Sequence, residues 1–337
     1  MLSPQYGGSF STIKESSAPG YTPAMRAGAD HERGQSQARR SGPETGTTSA
    51  DGLLGQMAEA AEMIAFKHTV FALPFAVMSL ITAAGPGWPP VRIWILVVAA
   101  MVTARTSAMS FNRLADHRID AANPRTARRS LPAGRLSRRF VWAVTIGSSA
   151  LFVLSAAMLN RLCLTLAPPT LAVLLGYSYA KRFTSAAHLW LGLALGIAPI
   201  GAWIAVTGAL AMPPVILGFA VMLWVAGFDT IYSLQDEAFD RTHGLWSLPA
   251  RLGGERALLL ARAFHAAAVV CFALFATAAG GGWIRFSAVA VATVLMAWQH
   301  SLVRVDDLSR VDAAFFTANG LLSVVMCGLF VVAKFVA

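Results

Sequence analysis

"VRIWILVVAAMVTARTSAMSFNRLADHRIDAANPRTARRSLPAG", residues 91–134, opens as an apolar run and closes in a dense cluster of charge. The run over 91–112 is long enough for a membrane-spanning helix, which needs roughly 20 mostly apolar residues. Lipid offers backbone polar groups no partner, so such a segment must be helical. The charge cluster then falls at a membrane edge. It holds Asp116 and Asp120, four residues apart, with six arginines from Arg113 to Arg135 and Arg138 and Arg139 just beyond.

The rest of the chain follows the same plan. Its 337 residues are 56% hydrophobic and only 13% charged, with a mean hydropathy of +0.57, whereas soluble domains carry about 25% charged residues. Eight further apolar stretches stand at 61–84, 139–159, 161–179, 187–206, 213–233, 256–279, 283–303 and 313–335. The expected fold is an all-α membrane protein, a bundle of nine transmembrane helices. Residues 1–52, rich in Ser, Gly, Thr and Pro and without a signal-peptide core, are expected to form a disordered cytoplasmic tail before a membrane domain at 53–337, with Met25 and Met57 as alternative starts.

A net charge of +10 invites a nucleic-acid reading, but the basic residues segregate by loop. With the N terminus inside, Arg113 to Arg139, Lys181, Arg182, Arg241, Arg251, Arg256, Arg304 and Arg310 gather on one face, leaving Arg92, Arg161, Arg285 and Lys334 opposite. That is the positive-inside pattern. It implies a multi-pass protein of the inner (plasma) membrane with the charge cluster facing the cytoplasm, the C terminus outside, and no nucleic-acid partner. Cys163, Cys271 and Cys327 fall in different spans, and His188, His243, His265 and His300 share no ligand spacing, so neither set suggests a metal. Asp306, Asp307 and Asp312 read as a solvated loop before the last helix.

The charged stretch has a second copy. In "IYSLQDEAFDRTHGLWSLPARLGG", residues 231–254, Asp236 and Asp240 repeat the spacing of Asp116 and Asp120, and SLPA at 130–133 recurs at 247–250. The chain therefore reads as two related four-helix halves plus a ninth helix, an organisation that often puts a site at the repeat interface. Residues at i, i+4 and i+8 share a helical face, aligning Asn112, Asp116 and Asp120 in one row and Tyr232, Asp236 and Asp240 in another. Carboxylates at helix C-terminal ends meet the negative end of the dipole, at a cost of up to about 1 kcal/mol each. A cation must compensate, either the loop arginines or a divalent metal. Magnesium suits the donor type, a hard ion held by one or two carboxylates with substrate phosphates completing its shell.

These residues resemble the UbiA superfamily of intramembrane prenyltransferases, over nearly the whole of 60–335. The family's first motif, N-D-x-x-D-x-x-x-D followed by R-T-x-x-R-x-L-P-x-G, is matched by Asn112, Asp116, Asp120, Arg125, Thr126, Arg129, Leu131, Pro132 and Gly134. The second, D-x-x-Y-x-x-x-D-x-x-x-D, is matched by Asp229, Tyr232, Asp236 and Asp240, and Y-x-x-x-K by Tyr177 and Lys181. Two positions depart: Arg113 replaces an aspartate, and Trp246 stands where many members have lysine. The stretches are most similar to the 4-hydroxybenzoate polyprenyltransferase branch, some members of which serve menaquinone formation through a dihydroxynaphthoate.

The resemblance implies magnesium-dependent transfer of a polyprenyl group from its diphosphate to an aromatic acid in ubiquinone- or menaquinone-type biosynthesis. Asn112, Asp116, Asp236 and Asp240 would hold the metal, with Asp120 as auxiliary ligand. Lys181, Arg182, Arg125, Arg129 and, less directly, Lys67 would bind the diphosphate, Arg being suited to bidentate phosphate contact. Tyr177 and Tyr232 would face the allylic cation, and Phe111 would either join them or be an ordinary interfacial or core aromatic. Arg105, roughly 10 Å deeper than Asn112 by helix rise, would bind the acceptor carboxylate or form a structural pair. A transporter with a carboxylate-lined ion site is the alternative of another class. It calls for charges at the midplane on broken helices.

Overall fold

The computed structural model describes residues 52, 55, 59 and 69–336. The expected tail over 1–52 lies almost wholly outside the described residues, and so does Lys67. Over residues 69–336 eleven α-helices run in the order α1 (Thr69–Ala83), α2 (Val91–Ala122), α3 (Arg138–Leu159), α4 (Arg161–Ala180), α5 (Ala187–Thr207), α6 (Met212–Ser233), α7 (Glu237–Thr242), α8 (Leu248–Leu252), α9 (Gly254–Ala278), α10 (Trp283–Ser301) and α11 (Asn319–Val336). Among the described residues the only β-pairing is a single bridge between Arg304 and Asp307.

Among the described residues seven helical segments are long and apolar enough to cross a membrane, where nine were expected. Two expected spans fall short for different reasons. The apolar part of α1 is confined to Phe71–Ala83 among the described residues. In α10, 19 residues long, Arg285, Gln299 and His300 dilute the hydropathy. The opening stretch goes the other way. It forms one helix of 32 residues, about 48 Å long, which exceeds a hydrocarbon core of about 30 Å and carries Asp116 and Asp120 on its protruding turns.

Side chains mark the helix boundaries. Ser137 accepts from Phe140 N to cap α3, Asn160 accepts from Cys163 N to cap α4, and Gly208 ends α5 at φ 68°, a conformation favourable to glycine. Helices α5 and α6 approach closely because small residues face each other. A Cβ on Gly196 would fall 2.4 Å from the carbonyl oxygen of Gly218, as in tight membrane helix pairs. The main core lies among α1, α6, α9, α10 and α11, where Phe75, Trp224, Phe272, Phe275 and Met326 are fully buried.

The last helix begins with a π-helical turn, Ala313–Ala318, which leaves backbone carbonyls to be satisfied from outside the helix. Gln299 donates to Ala314 O at 2.9 Å. Asn319 donates to Phe315 O at 2.8 Å and accepts from the Trp224 indole at 2.9 Å. This buried network places Phe315 and Phe316 side by side at the rim of the site.

Candidate active site

Helices α2 to α6 enclose a cavity of about 620 Å³. Its apolar end is walled by Val97, Leu159, Cys163 and Ile204, and both acidic rows open into the other end. From Val97 to Asn123 the lining follows about 40 Å of helix rise.

The first row is buried and clamped. Asp116 is 3% exposed; its Oδ2 accepts from Lys181 Nζ at 2.9 Å and Asn112 Nδ2 at 3.1 Å, and its Oδ1 from Arg182 Nη2 at 3.2 Å. Asp120 is paired with Arg129 at 2.7 Å and lies 3.8 Å from Arg113, while its Oδ2 is buried with no hydrogen-bond partner. The second row is looser. A 3-10 turn, Leu234–Asp236, interrupts the helix between Tyr232 and Asp240, so this row does not lie on one continuous α-helix. Asp236 is forked by Arg125, whose Nε lies 3.0 Å from Oδ1. Asp240 takes a hydrogen bond from Ser247, with Lys181 and His188 nearby.

Arg125 reaches across because of a local turn. Pro124 disfavours further helix. Asn123 closes α2, accepts from Arg125 N at 3.0 Å and donates its amide to Asp236 Oδ1 at 3.0 Å. Burial alone would lower the pKa of the Arg125 guanidinium, but the hydrogen bond and charge of Asp236 override it and hold the group above its ordinary value. Asn123 thus ties the first acidic motif to the second, a role with no signature in the sequence beyond its position before proline.

The structure distributes the other expected residues unevenly. Arg105, Arg129, Tyr177, Lys181 and Tyr232 line the cavity. Arg182 stands behind Asp116, outside that lining, and covers the Tyr179 ring at 4.9 Å. Phe111 also faces away, packing edge-on against Trp142 and Tyr179 at 5.9 and 5.8 Å. One residue before Asn112 is a turn of about 100° around the helix, enough to leave the cavity. The aromatics that do face Tyr232 come from the π-turn: its ring centroid lies 4.2 Å from that of Phe315. Arg113 lines the cavity and sits beside Asp120, adding a cation to the first row. Trp246 donates its backbone N–H to Lys181 O at 2.7 Å, and its ring lies under Arg251 at 3.4 Å. His188, whose spacing suggests no role, reaches Asp229 at 2.6 Å, and both line the cavity.

The chain belongs to the UbiA prenyltransferase family, whose profile matches residues 72–321. It is a membrane-embedded prenyltransferase, which removes the transporter alternative. It is 30% identical over 246 residues to a 4-hydroxybenzoate octaprenyltransferase of Klebsiella pneumoniae, covering 73% of this chain and 85% of that one. The structure of a UbiA homolog from Aeropyrum pernix superposes with a TM-score of 0.72 at 38% identity, covering 80% of this chain and 98% of that one. A homolog from Archaeoglobus fulgidus, solved with GPP and Mg2+, shares the fold at a TM-score of 0.61 and 18% identity, covering 83% of this chain and all of that one.

Proposed function

We propose that this enzyme transfers a polyprenyl group from polyprenyl diphosphate to 4-hydroxybenzoate in quinone biosynthesis. The observation that carries the reading is the shared cavity: two duplicated acidic motifs and their cations at one end, and an apolar passage along the helices beyond them. A diphosphate matches the first part and an isoprenoid chain the second, where each buried methylene contributes about 0.8 kcal/mol. The curated relatives support the aromatic acid as acceptor.

The donor set fits magnesium by chemistry. Asn112, Asp116, Asp236 and Asp240 are hard oxygen ligands around one cavity, and the orphaned Asp120 Oδ2 is an acceptor that a cation would satisfy. Among the described residues no three His, Cys, Asp or Glu stand close enough to hold a metal, and Asp116, Asp120 and Asp236 are held by Lys181, Arg129 and Arg125. Metal binding therefore requires these cations to change partner, and the diphosphate is the partner that frees them. The bound ion supplies Lewis-acid stabilisation of the leaving diphosphate.

Lys181, Arg125 and Arg129 then carry the negative charge of the leaving group. Tyr177 and Tyr232, joined by Phe315, present ring faces to the allylic cation, and the apolar wall excludes water that would quench it. Arg105 binds the acceptor carboxylate. We count α1 and α10 with the seven longer segments as nine spans, with the active site on the cytoplasmic face of the inner membrane, as the arginine distribution supports.

The test is an assay of membranes carrying the protein with geranyl or longer diphosphate and magnesium, with 4-hydroxybenzoate and 1,4-dihydroxy-6-naphthoate in turn. Magnesium-dependent prenylated 4-hydroxybenzoate is expected. Product only from the naphthoate would move the enzyme to menaquinone formation, and product from neither would overturn the reading. Arg105→Met is expected to raise the acceptor KM while leaving the diphosphate KM unchanged.

A further inference from the structure

Prenylation of an aromatic ring leaves one proton to be removed, and the groups already assigned are poorly placed to take it. Asp116, Asp120 and Asp236 are each held in an ion pair with a lysine or arginine, and Asp240 is engaged by Ser247. Asp229 differs. It lines the same cavity, and its ion-pair partner is the imidazole of His188, with Nδ1 2.6 Å from Oδ2. The other ring nitrogen settles the tautomer. Leu248 N–H donates to His188 Nε2 at 3.2 Å, so that nitrogen carries no proton, and the ring proton sits on Nδ1, donated to Asp229. His188 is 4% exposed in the first turn of α5. The result is a carboxylate fixed by a neutral donor, with Oδ1 left for other work.

Depth places Asp229 beside the acceptor. It precedes Asp236 by seven residues, about 10 Å along the helix, the same offset that separates Arg105 from Asn112. Tyr177 interacts electrostatically with both Arg105 and Asp229. A ring whose carboxylate is held by Arg105 thus occupies the part of the cavity that Asp229 and Tyr177 also line.

We propose that Asp229 accepts the ring proton after carbon–carbon bond formation and that His188 is the positioning residue that holds it. This rests on the aromatic-acid reading above. Diphosphate departs with the electron pair of the allylic C–O bond. A ring π pair then forms the new C–C bond, at the carbon beside the hydroxyl. The C–H bond at that carbon breaks, its electron pair restores aromaticity, and the proton passes to Asp229 Oδ1. His188 keeps its own proton throughout and, through Leu248, fixes the carboxylate to the second SLPA turn.

The experiment compares 4-hydroxybenzoate with its 3,5-dideuterated form, using the full chain in detergent with geranyl diphosphate and magnesium. Wild type should turn over both alike, because earlier steps limit the rate. Asp229→Asn should lose about 100-fold or more in kcat, the scale of general-base catalysis, and acquire a normal isotope effect, with the diphosphate KM unchanged. His188→Phe should show a smaller loss with the same isotope effect. His188→Asn, whose amide can replace the Nδ1 donor, should recover part of it. Acceptor-independent cleavage of geranyl diphosphate reports that each variant retains a folded site. Asp229→Asn without an isotope effect, or with acceptor-independent cleavage reduced as much as transfer, overturns the proposal while the functional reading stands. A wild type inactive towards both acceptors overturns that reading, and this proposal with it.

Discussion

Asp116 and Asp120 stand on the last turns of one continuous helix among Lys181, Arg182, Arg129 and Arg113, whereas Asp236 and Asp240 stand at and beyond a break in theirs, Asp236 held by Arg125 and Asn123 and Asp240 by Ser247. The two rows share a spacing and have different physical states. In the first, each carboxylate is only 4–5% exposed and engaged by two cations, of which Arg113 keeps 13% side-chain exposure and Lys181, Arg182 and Arg129 33–36%. In the second, the carboxylate itself is more open, Asp236 keeping 18% side-chain exposure and pairing with one cation, Arg125, so it exchanges partners more readily. The duplicated motif has become a fixed half and an adaptable half.

Removing a carboxylate from the fixed half should have the largest effect. Asp120→Ala strands Arg129 and Arg113 around a position whose side chain is 5% exposed, and breaking such a buried pair costs about 3–5 kcal/mol. Transfer activity and melting temperature in detergent should fall together. Asp236→Ala should separate the two. Activity falls on the order of 100- to 1000-fold, the range for losing one preorganised electrostatic group, while Arg125 returns to water at a stability cost of about 1 kcal/mol or less. Equal melting losses for both variants would erase the distinction.

The partner-exchange idea predicts a smaller, opposite-signed effect. If Arg125 must leave Asp236 before magnesium binds, Arg125→Gln should tighten magnesium binding in the absence of diphosphate by about tenfold, roughly 1.4 kcal/mol. The same change should raise the KM for the diphosphate. Magnesium-dependent thermal shift without substrate reads the first effect and steady-state kinetics the second. Weaker magnesium binding would mean that Arg125 helps assemble the metal site rather than occupying it.

What the sequence disclosed follows from what constrains it. Lipid forces apolar length and helical backbone, so most helices could be read within a few residues. Their count was harder: whether α10 crosses depends on Arg285, Gln299 and His300, and Gln299 is placed by a tertiary contact to Ala314. The carboxylate rows were legible because i, i+4 spacing is a local property. Phe315 was not, because it reaches Tyr232 through a π-turn held by Trp224 and Asn319, residues 95 positions apart. His188 was passed over for the same reason: its partners, Asp229 and Leu248, lie 41 and 60 residues away. Phe111 shows the converse error, since adjacency in sequence on a helix turns a side chain away from its neighbour's target.

The SLPA repeats give the smallest test of the two-half comparison. Ser247 caps α8, accepting from Ala250 N at 3.4 Å, and also donates to Asp240. Ser130 instead donates to Glu59 at 2.7 Å, a contact that Arg135 shares at 3.1 Å. Ser247→Ala loses a cap, worth about 0.5–2 kcal/mol, together with a partner of a site carboxylate, so it should lower both stability and kcat. Ser130→Ala loses one bond to a group still held by Arg135, within the roughly 0–1 kcal/mol of surface ties, and should leave kcat unchanged. The bond from Ser130, followed by that from Arg135, holds the Glu59 carboxyl below the usual range. Its contribution is therefore full at neutral pH and fades only as pH falls below the ordinary glutamate value of about 4.3. A Ser130→Ala effect on melting temperature should thus be constant at neutral pH and vanish in acid, while the Ser247→Ala effect on kcat is present across the working range. If Ser130→Ala slowed transfer as much as Ser247→Ala, the two turns would be equivalent after all, and the fixed half would be as much a part of the moving machinery as the other.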